Sequence, residues 1–390
     1  MKKIFSVLLA MLLIFPAGAC KKQEKAPRKD SVSLEEIEKI YETDPNAAAW
    51  KMIESMSLDE RIYQLFIVNP ETLSGGFAET EVTDAMQEGF AKYPVGGVIL
   101  FGDNIKTRDQ VTKFTEGLQK ASKYPLFIAV DEEGGTVSRL GDINGVTKQP
   151  TMREVGNGGD ANRAFEIGKT IGSEIRPLGF NVDFAPCADT LVNPDNTEIG
   201  SRSFGTDPAL VSTMVENMVK GLREGGVASA VKHFPGHGSA ESDSHSGRAI
   251  STRSYDDISA VDLLPFKAGI EAGSDFVMIS HMVNESITKT NMECSMSTNV
   301  MTNILRNTMG YTKIIITDSL SMGAITLHFS AGAAAVTALE AGADMLLMPA
   351  NVEEAAAAIR GAMESGRISE MRLNESVARV LKVKLERGIL

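Results

Sequence analysis

Eight short, continuous apolar runs recur along the chain, and they constrain its fold more than any other feature. They are LFIV (65–68), GGVILF (96–101), LFIAVD (126–131), FNVDFAP (180–186), ASAVKHF (228–234), FVMISH (276–281), KIIITD (313–318) and DMLLMP (344–349). Apolar character that is unbroken rather than alternating marks strands covered on both faces, as in a parallel sheet. Between the runs lie segments of helical periodicity at 80–93, 108–122, 162–178, 208–224, 258–272 and 331–341. Ser57 with Glu60, and Thr107 with Gln110, have the S/T-x-x-E/Q spacing of a capping box. Eight strand-helix units predict an α/β protein, a (β/α)8 TIM barrel forming a single domain over 33–390. No G-x-G-x-x-G follows the first run, so a dinucleotide-binding sheet loses its main support.

The polar residues sharpen this reading. Asp131, Asp183, Lys232, His233, His281 and Asp318 all stand at the C-terminal ends of runs, the face on which such barrels build their active sites. One aspartate there would read as a helix cap or a turn. Six polar endings on five strands read as a site.

The first twenty residues concern location. Lys2 and Lys3 precede IFSVLLAMLLIF, then Pro16, Ala17, Gly18, Ala19 and Cys20. This is the layout of a secretory signal, and its apolar run is too short for a comfortable transmembrane span. A cysteine directly after Ala-Gly-Ala resembles a bacterial lipobox, although Ala17 replaces the usual leucine. It predicts a signal peptide over 1–19, lipidation of Cys20, and an exported protein of the cell envelope whose acylated N-terminus takes the lipid bilayer as a partner. KKQEKAPRKDS is polar and without an apolar period, which predicts a flexible tether over 20–32. The formal charge of -12 becomes more negative once Lys2 and Lys3 leave, and it argues against nucleic acid as a partner. Beyond Cys20 only Cys187 and Cys294 remain, too few for a disulfide scaffold, and nothing in the sequence decides whether they pair.

The stretch VKHFPGHGSAESDSHS (231–246) holds His233, His237 and His245 in a chain with 5 histidines. Three readings compete. A metal site would use the four-residue spacing of His233 and His237, but Pro235 and Gly236 forbid the helix that spacing needs, so Asp243 would have to join in a loop site. A surface loop without chemistry conflicts with Lys232 and His233 ending an apolar strand. An acid/base station fits Asp243-Ser244-His245, whose first and third side chains share one side of an extended segment, so that the carboxylate orients the imidazole.

Taken together, MSLDERIYQLF, AVDEEGGTVSRL, FNVDFAPCADT, IGSRSFGTDP, KHFPGHGSAESDSH and IIITDSLSMGAI resemble glycoside hydrolase family 3 over 57–390. Within that family the likeness is to single-domain β-N-acetylglucosaminidases (β-hexosaminidases) of the bacterial lipoprotein type. The resemblance implies an exo-acting, retaining hydrolase with 33–390 as its catalytic domain. Asp318 would be the nucleophile that forms a glycosyl-enzyme, and His245 the general acid/base with Asp243 as its partner. Asp131, Arg139, Arg202, Lys232 and His233 match the positions that hold the non-reducing sugar; His281 has no firm role. The implied substrates are GlcNAc-containing oligosaccharides or muropeptides. No cofactor or metal is required, and a monomer is expected. Lys313 replaces a glycine common before the nucleophile strand, a basic or amide residue is usual at Thr308, and Thr136 replaces an arginine, departures that bear on strand entry and pocket rim. Many relatives bring their acid/base carboxylate from a second domain; with Leu390 soon after the eighth unit, the acid is expected from the barrel loops.

The physics agrees. Retaining glycosidases usually employ two carboxylates, and a histidine in the acid role lets an ionised nucleophile and a protonated acid coexist without mutual repulsion. Arg202 and Lys232 would keep Asp318 ionised. Glu132 and Glu133 read as carboxylates bracing the EEGG turn, and Phe204 and Phe234 as packing. Two alternatives stand: a surface lipoprotein that binds sugar or a host partner without turnover, and a β-GlcNAc phosphorylase, since a neutral or cationic acid/base repels phosphate less than a carboxylate would.

Overall fold

The computed structural model describes residues 34–241 and 247–390. The expected signal peptide, the tether with Cys20, and the pair Asp243 and His245 lie outside the described residues. Every apolar run contains a strand: β1 Phe66–Val68, β2 Gly97–Ile99, β3 Phe127–Val130, β4 Val182–Asp183, β5 Ala228–Phe234, β6 Phe276–Ile279, β7 Ile314–Thr317 and β8 Leu346–Leu347. They pair in parallel in the order β7-β6-β5-β4-β3-β2-β1-β8. A parallel bridge between Ile316 and Met345 joins the two ends and closes a (β/α)8 barrel.

Alternation within the strands explains why the runs are unbroken. Phe127 and Ala129, Phe276 and Met278, and Ile314 and Ile316 share the cluster that fills the barrel. Their neighbours Ile128, Val130, Val277, Ile279 and Ile315 belong to the larger core under the helices. Both faces are apolar because both are covered. Inside, Phe276 meets Phe127 and Phe184 edge to face, with ring centroids 5.2 and 6.1 Å apart. The C-terminal helix Glu370–Glu386 seals the floor with Val380 and Val383. From the same helix the fully buried Lys384 hydrogen-bonds Gln64 Oε1 at 2.9 Å.

The helices follow the periodicity, with corrections at their ends. The pattern at 80–93 becomes helical only at Asp84–Lys92, because Thr83 caps it by accepting the Met86 N–H. Ser57 and Glu60 form the full capping box. The second expected box is shifted: Thr107 accepts the Gln110 N–H, but Gln110 Oε1 accepts from Lys106 N rather than from Thr107. The segment at 258–272 opens with a π turn, Ile258–Asp262, before the α-helix Leu263–Glu271. Cys187 and Cys294 are both free and buried. Phe204 and Phe234 are fully buried, in keeping with packing roles.

Candidate active site

Strand parity decides which polar residues reach the mouth. On β7, Ile314 and Ile316 point inward, so the same parity carries Asp318 inward, just past the strand end. On β3, Phe127 and Ala129 are followed by Asp131 and Glu133 in the same phase. On β4 the inward residues are Val182 and Phe184, which puts Asp183 on the other face. Asp183 is therefore turned away from the mouth, fully buried, and its Oδ1 accepts the Glu132 N–H at 2.9 Å. It braces a turn.

Lys232 and His233 are consecutive, yet both join the site. The β5–β6 register shifts between Val231 and Phe234, so the usual alternation is interrupted where these two side chains emerge. Lys232 Nζ lies 2.5 Å from Asp131 Oδ1 and 2.7 Å from Glu133 Oε1. Arg202, from the loop after β4, grips Glu133 with two donors, Nε to Oε2 at 2.9 Å and Nη2 to Oε1 at 2.8 Å. Two carboxylates and two cations thus form one buried, locally neutral network. Burial opposes the charge on Glu133, but Arg202 and Lys232 hold its carboxyl far below the usual range. Burial likewise opposes the charge on Lys232, and Asp131 and Glu133 more than offset it, raising its pKa.

The two adjacent glutamates part company here. Glu132 braces the turn as expected, accepting from the Ser138 hydroxyl, from Arg139 N at 2.7 Å and from Leu140 N at 2.8 Å. Glu133, expected to share that task, instead organises Arg202 and Lys232. Its inward phase, two residues past Asp131, was the available signal. Arg139 is positioned by the Glu132 turn, and its Nε is buried without a partner.

His233 is held from both sides. Arg202 Nη2 approaches its Nε2 at 3.1 Å, and a guanidinium can only donate. The ring proton therefore sits on Nδ1, 2.7 Å from Asp189 Oδ2. Asp189 also accepts the backbone N–H of His233 at 3.1 Å and of His237 at 2.5 Å, and so fixes the whole HFPGHG turn. Nothing in the residue spacing marked Asp189; only the fold brings it to His233. His237 turns its Nε2 toward Glu198, 3.6 Å away.

Among the described residues, the one cluster with metal-ligand atoms close together is Cys187, Asp189 and His233. Its donors are committed. The Cys187 thiol, pushed far up by burial and by Asp189, donates to Asp189 at 3.2 Å, and His233 Nδ1 carries its proton toward the same carboxylate. These groups fit a hydrogen-bond network rather than an ion.

Asp318 is partly exposed at the mouth, and its Oδ1 accepts the Ser319 N–H at 2.7 Å. Burial works against its charge, but His233, His281, the Ser319 N–H and Lys232 together hold its pKa below the ordinary value. His281 acquires a definite place: its Nε2–H donates to Ser319 O at 2.8 Å. Burial lowers its pKa, and the neutral ring accepts from the Ser295 hydroxyl at Nδ1, 2.7 Å away. It fixes the backbone beside Asp318.

The described residues that flank 242–246 are tied to one another and to the barrel. Glu241 N donates to Ile250 O at 3.0 Å, and the Ser239 and Ser251 hydroxyls lie 2.9 Å apart. Ser251 N then donates to Val283 O at 3.0 Å, which ties the returning leg to the chain beyond β6.

Residues 57–383 match the model of the glycosyl hydrolase family 3 N-terminal domain. The chain is 34% identical over 336 residues to beta-hexosaminidase A of Pseudoalteromonas piscicida, covering 79% of this chain and 56% of that protein. It is 33% identical over 294 residues to a beta-hexosaminidase of Stenotrophomonas maltophilia, covering 73% and 86%. A solved family 3 beta-N-acetylglucosaminidase from Paenibacillus sp. superposes with a TM-score of 0.81 at 36% identity, over 86% of this chain and 63% of that one. The chain thus spans less than two thirds of two of these relatives and most of the third. By sequence and by fold, it belongs to glycosyl hydrolase family 3.

Proposed function

We propose that this chain is an exo-acting, retaining β-N-acetylglucosaminidase that removes terminal β-linked GlcNAc through a glycosyl-aspartate on Asp318. One observation carries the reading: a buried, charge-balanced cluster of Asp131, Glu133, Lys232, Arg202 and His233 stands beside an ionised Asp318 that it helps keep ionised. Such a cluster supplies hydrogen-bond partners for sugar hydroxyls without surplus positive charge. The remaining anion then complements the oxocarbenium-like transition state. Arg139 Nε is a further donor for the same ring.

In the first step Asp318 attacks the anomeric carbon while His245, oriented by Asp243, protonates the leaving oxygen. In the second, the same imidazole takes a proton from water, which displaces the aspartate. Names of relatives support GlcNAc as the sugar. Peptidoglycan fragments and chito-oligosaccharides are the substrates we assign, consistent with a lipoprotein held at the cell envelope through Cys20.

The test is turnover of an aryl β-GlcNAc and of GlcNAc-terminated oligosaccharides by the full chain, with and without phosphate. Free GlcNAc in both conditions is the expected product. Sugar phosphate would make the enzyme a phosphorylase, and no turnover would leave a binding protein. Cys20→Ala should release the protein from membranes with its activity intact; retention would refute the lipid anchor.

A further inference from the structure

Behind the HFPGHG turn lies a carboxyl that the mechanism above does not use. Asp262 is 1% exposed and ends the π turn Ile258–Asp262. A π turn widens the helix by one residue and often marks a functional site. Here it sets Asp262 hard against Gly236, where a methyl group would come 2.7 Å from the Asp262 Cβ. Gly236 also has φ of +128°, so it meets both a conformational and a steric demand for glycine. Asp262 Oδ2 accepts from Arg253 Nε at 3.1 Å, while Oδ1 is buried with no partner.

The charged groups around Asp262 are few. Arg253, on the returning leg of the loop, is its cation, and a second donor of that guanidinium, Nη2, goes to Asp257 O at 3.1 Å. The Asp257 carboxylate faces away toward the Ser254 hydroxyl, 2.7 Å from it. Asp189 bears on Asp262 from the far side of the turn and opposes its ionisation. Asp189 is itself engaged by His233 and His237.

We propose that Asp262, with Arg253, is a positioning residue that backs the 235–237 turn and controls by its protonation how firmly His233 is presented to the sugar. When protonated, Asp262 leaves the backbone N–H groups of the turn to Asp189, with Glu198 facing the His237 ring beyond them. Once ionised, it sets a second buried anion, with an unpartnered oxygen, against the backbone that Asp189 organises. Two such anions pull at one turn. Burial pushes the Asp262 carboxyl up to about 7, Arg253 opposes this and Asp189 adds to it, so the change falls near neutrality. The inference rests on the reading of His233 as a sugar ligand.

The experiment measures KM and kcat of the full chain on an aryl β-GlcNAc from acidic to alkaline pH, for wild type, Asp262→Asn and Arg253→Met. Wild-type KM should rise about tenfold through neutrality, the worth of roughly one hydrogen bond. Asp262→Asn should hold the acidic value throughout. Arg253→Met, lacking the cation, should move the step to higher pH. A kcat limb from the acid/base group should remain in all three. Thermal melts add an independent arm. The folded pKa lies above the unfolded value of about 4, so wild type should lose stability relative to Asp262→Asn as pH rises from about 4 to 7, and then level off. KM profiles of wild type and Asp262→Asn that coincide would overturn the proposal. So would a step that Arg253→Met leaves in place or moves to lower pH, which also decides the matter if Asp262→Asn fails to fold. Absence of any wild-type turnover would instead refute the enzymatic reading, while the melts would still test the titration.

Discussion

Replacing Glu133 by glutamine separates two neighbouring carboxylates by their surroundings alone. Glu133 receives three charge-assisted bonds, from Arg202 at 2.9 and 2.8 Å and from Lys232 at 2.7 Å. An amide offers one acceptor oxygen and must turn its NH2 toward Arg202 or Lys232, donor against donor. Removing one member of a buried ion pair costs about 3–5 kcal/mol, because the cation left behind is uncompensated. The amide recovers part of this, so we expect Glu133→Gln to lose about 3 kcal/mol, or roughly 6 °C of melting temperature at the low end of the size scaling. Lys232 and Arg202 would shift with it, and kcat/KM should fall about 10²-fold on any β-GlcNAc substrate. The pH dependence adds a check. Since its folded pKa is depressed, Glu133 contributes stability that is present above about pH 4.3 and lost as pH falls below it. The gap between wild type and variant should therefore narrow on acidification. Glu132→Gln is the control: burial raises the Glu132 pKa despite its bonds to Ser138, Leu140 and Arg139, and one amide oxygen can still accept both backbone N–H groups. It should cost about 1 kcal/mol. Melts and steady-state kinetics on the two variants suffice. Equal losses, or a larger loss for Glu132→Gln, would refute the division of labour.

Asp318→Asn and Asp318→Ala should each lower turnover by about 10³-fold or more, since an amide forms no glycosyl ester and alanine offers no nucleophile; activity within a few-fold of wild type would place the nucleophile elsewhere. His245→Ala should slow substrates with poor leaving groups far more than activated aryl glycosides, and Asp243→Asn should do so more mildly, whereas His233→Ala should weaken both substrate types together. A uniform loss in His245→Ala, measured across leaving groups, would remove it from the acid role. Lys384→Met tests the barrel floor. Burial lowers the Lys384 pKa to about 7 against roughly 10.4 unfolded, so the wild type carries a penalty that is full below pH 7 and fades toward pH 10. After loss of the Gln64 bond, the variant should be more stable by about 1–3 kcal/mol at pH 6 and lose that advantage near pH 10, as read from denaturant melts.

The architecture was legible in the residue order because it depends on short-range rules. Continuous apolar runs require cover on both faces, and eight of them separated by helical periods leave a closed barrel as the economical arrangement. Strand endings gathered the candidate residues at one face, and parity along β3, β4 and β7 separates Glu133 and Asp318 from Asp183 once the packed interior shows which phase points inward. The family's motifs then assigned Asp131, Arg139, Arg202, Lys232, His233 and Asp318 to one site, and the fold places Asp131, Arg202, Lys232 and His233 in a single bonded network. What no local rule carried were contacts between segments far apart in sequence. Asp189 meets His233 across two strands, His281 meets Ser319 across β6 and β7, and Asp262 meets Gly236 because a π turn shifts the helix by one residue. The pKa of each buried group is settled at the same level. A glutamate in EEGG has one chemistry in the sequence, but whether it braces a turn or balances two cations depends on which charges the closed barrel brings within 3 Å of it. In a low-dielectric interior, that proximity outweighs identity.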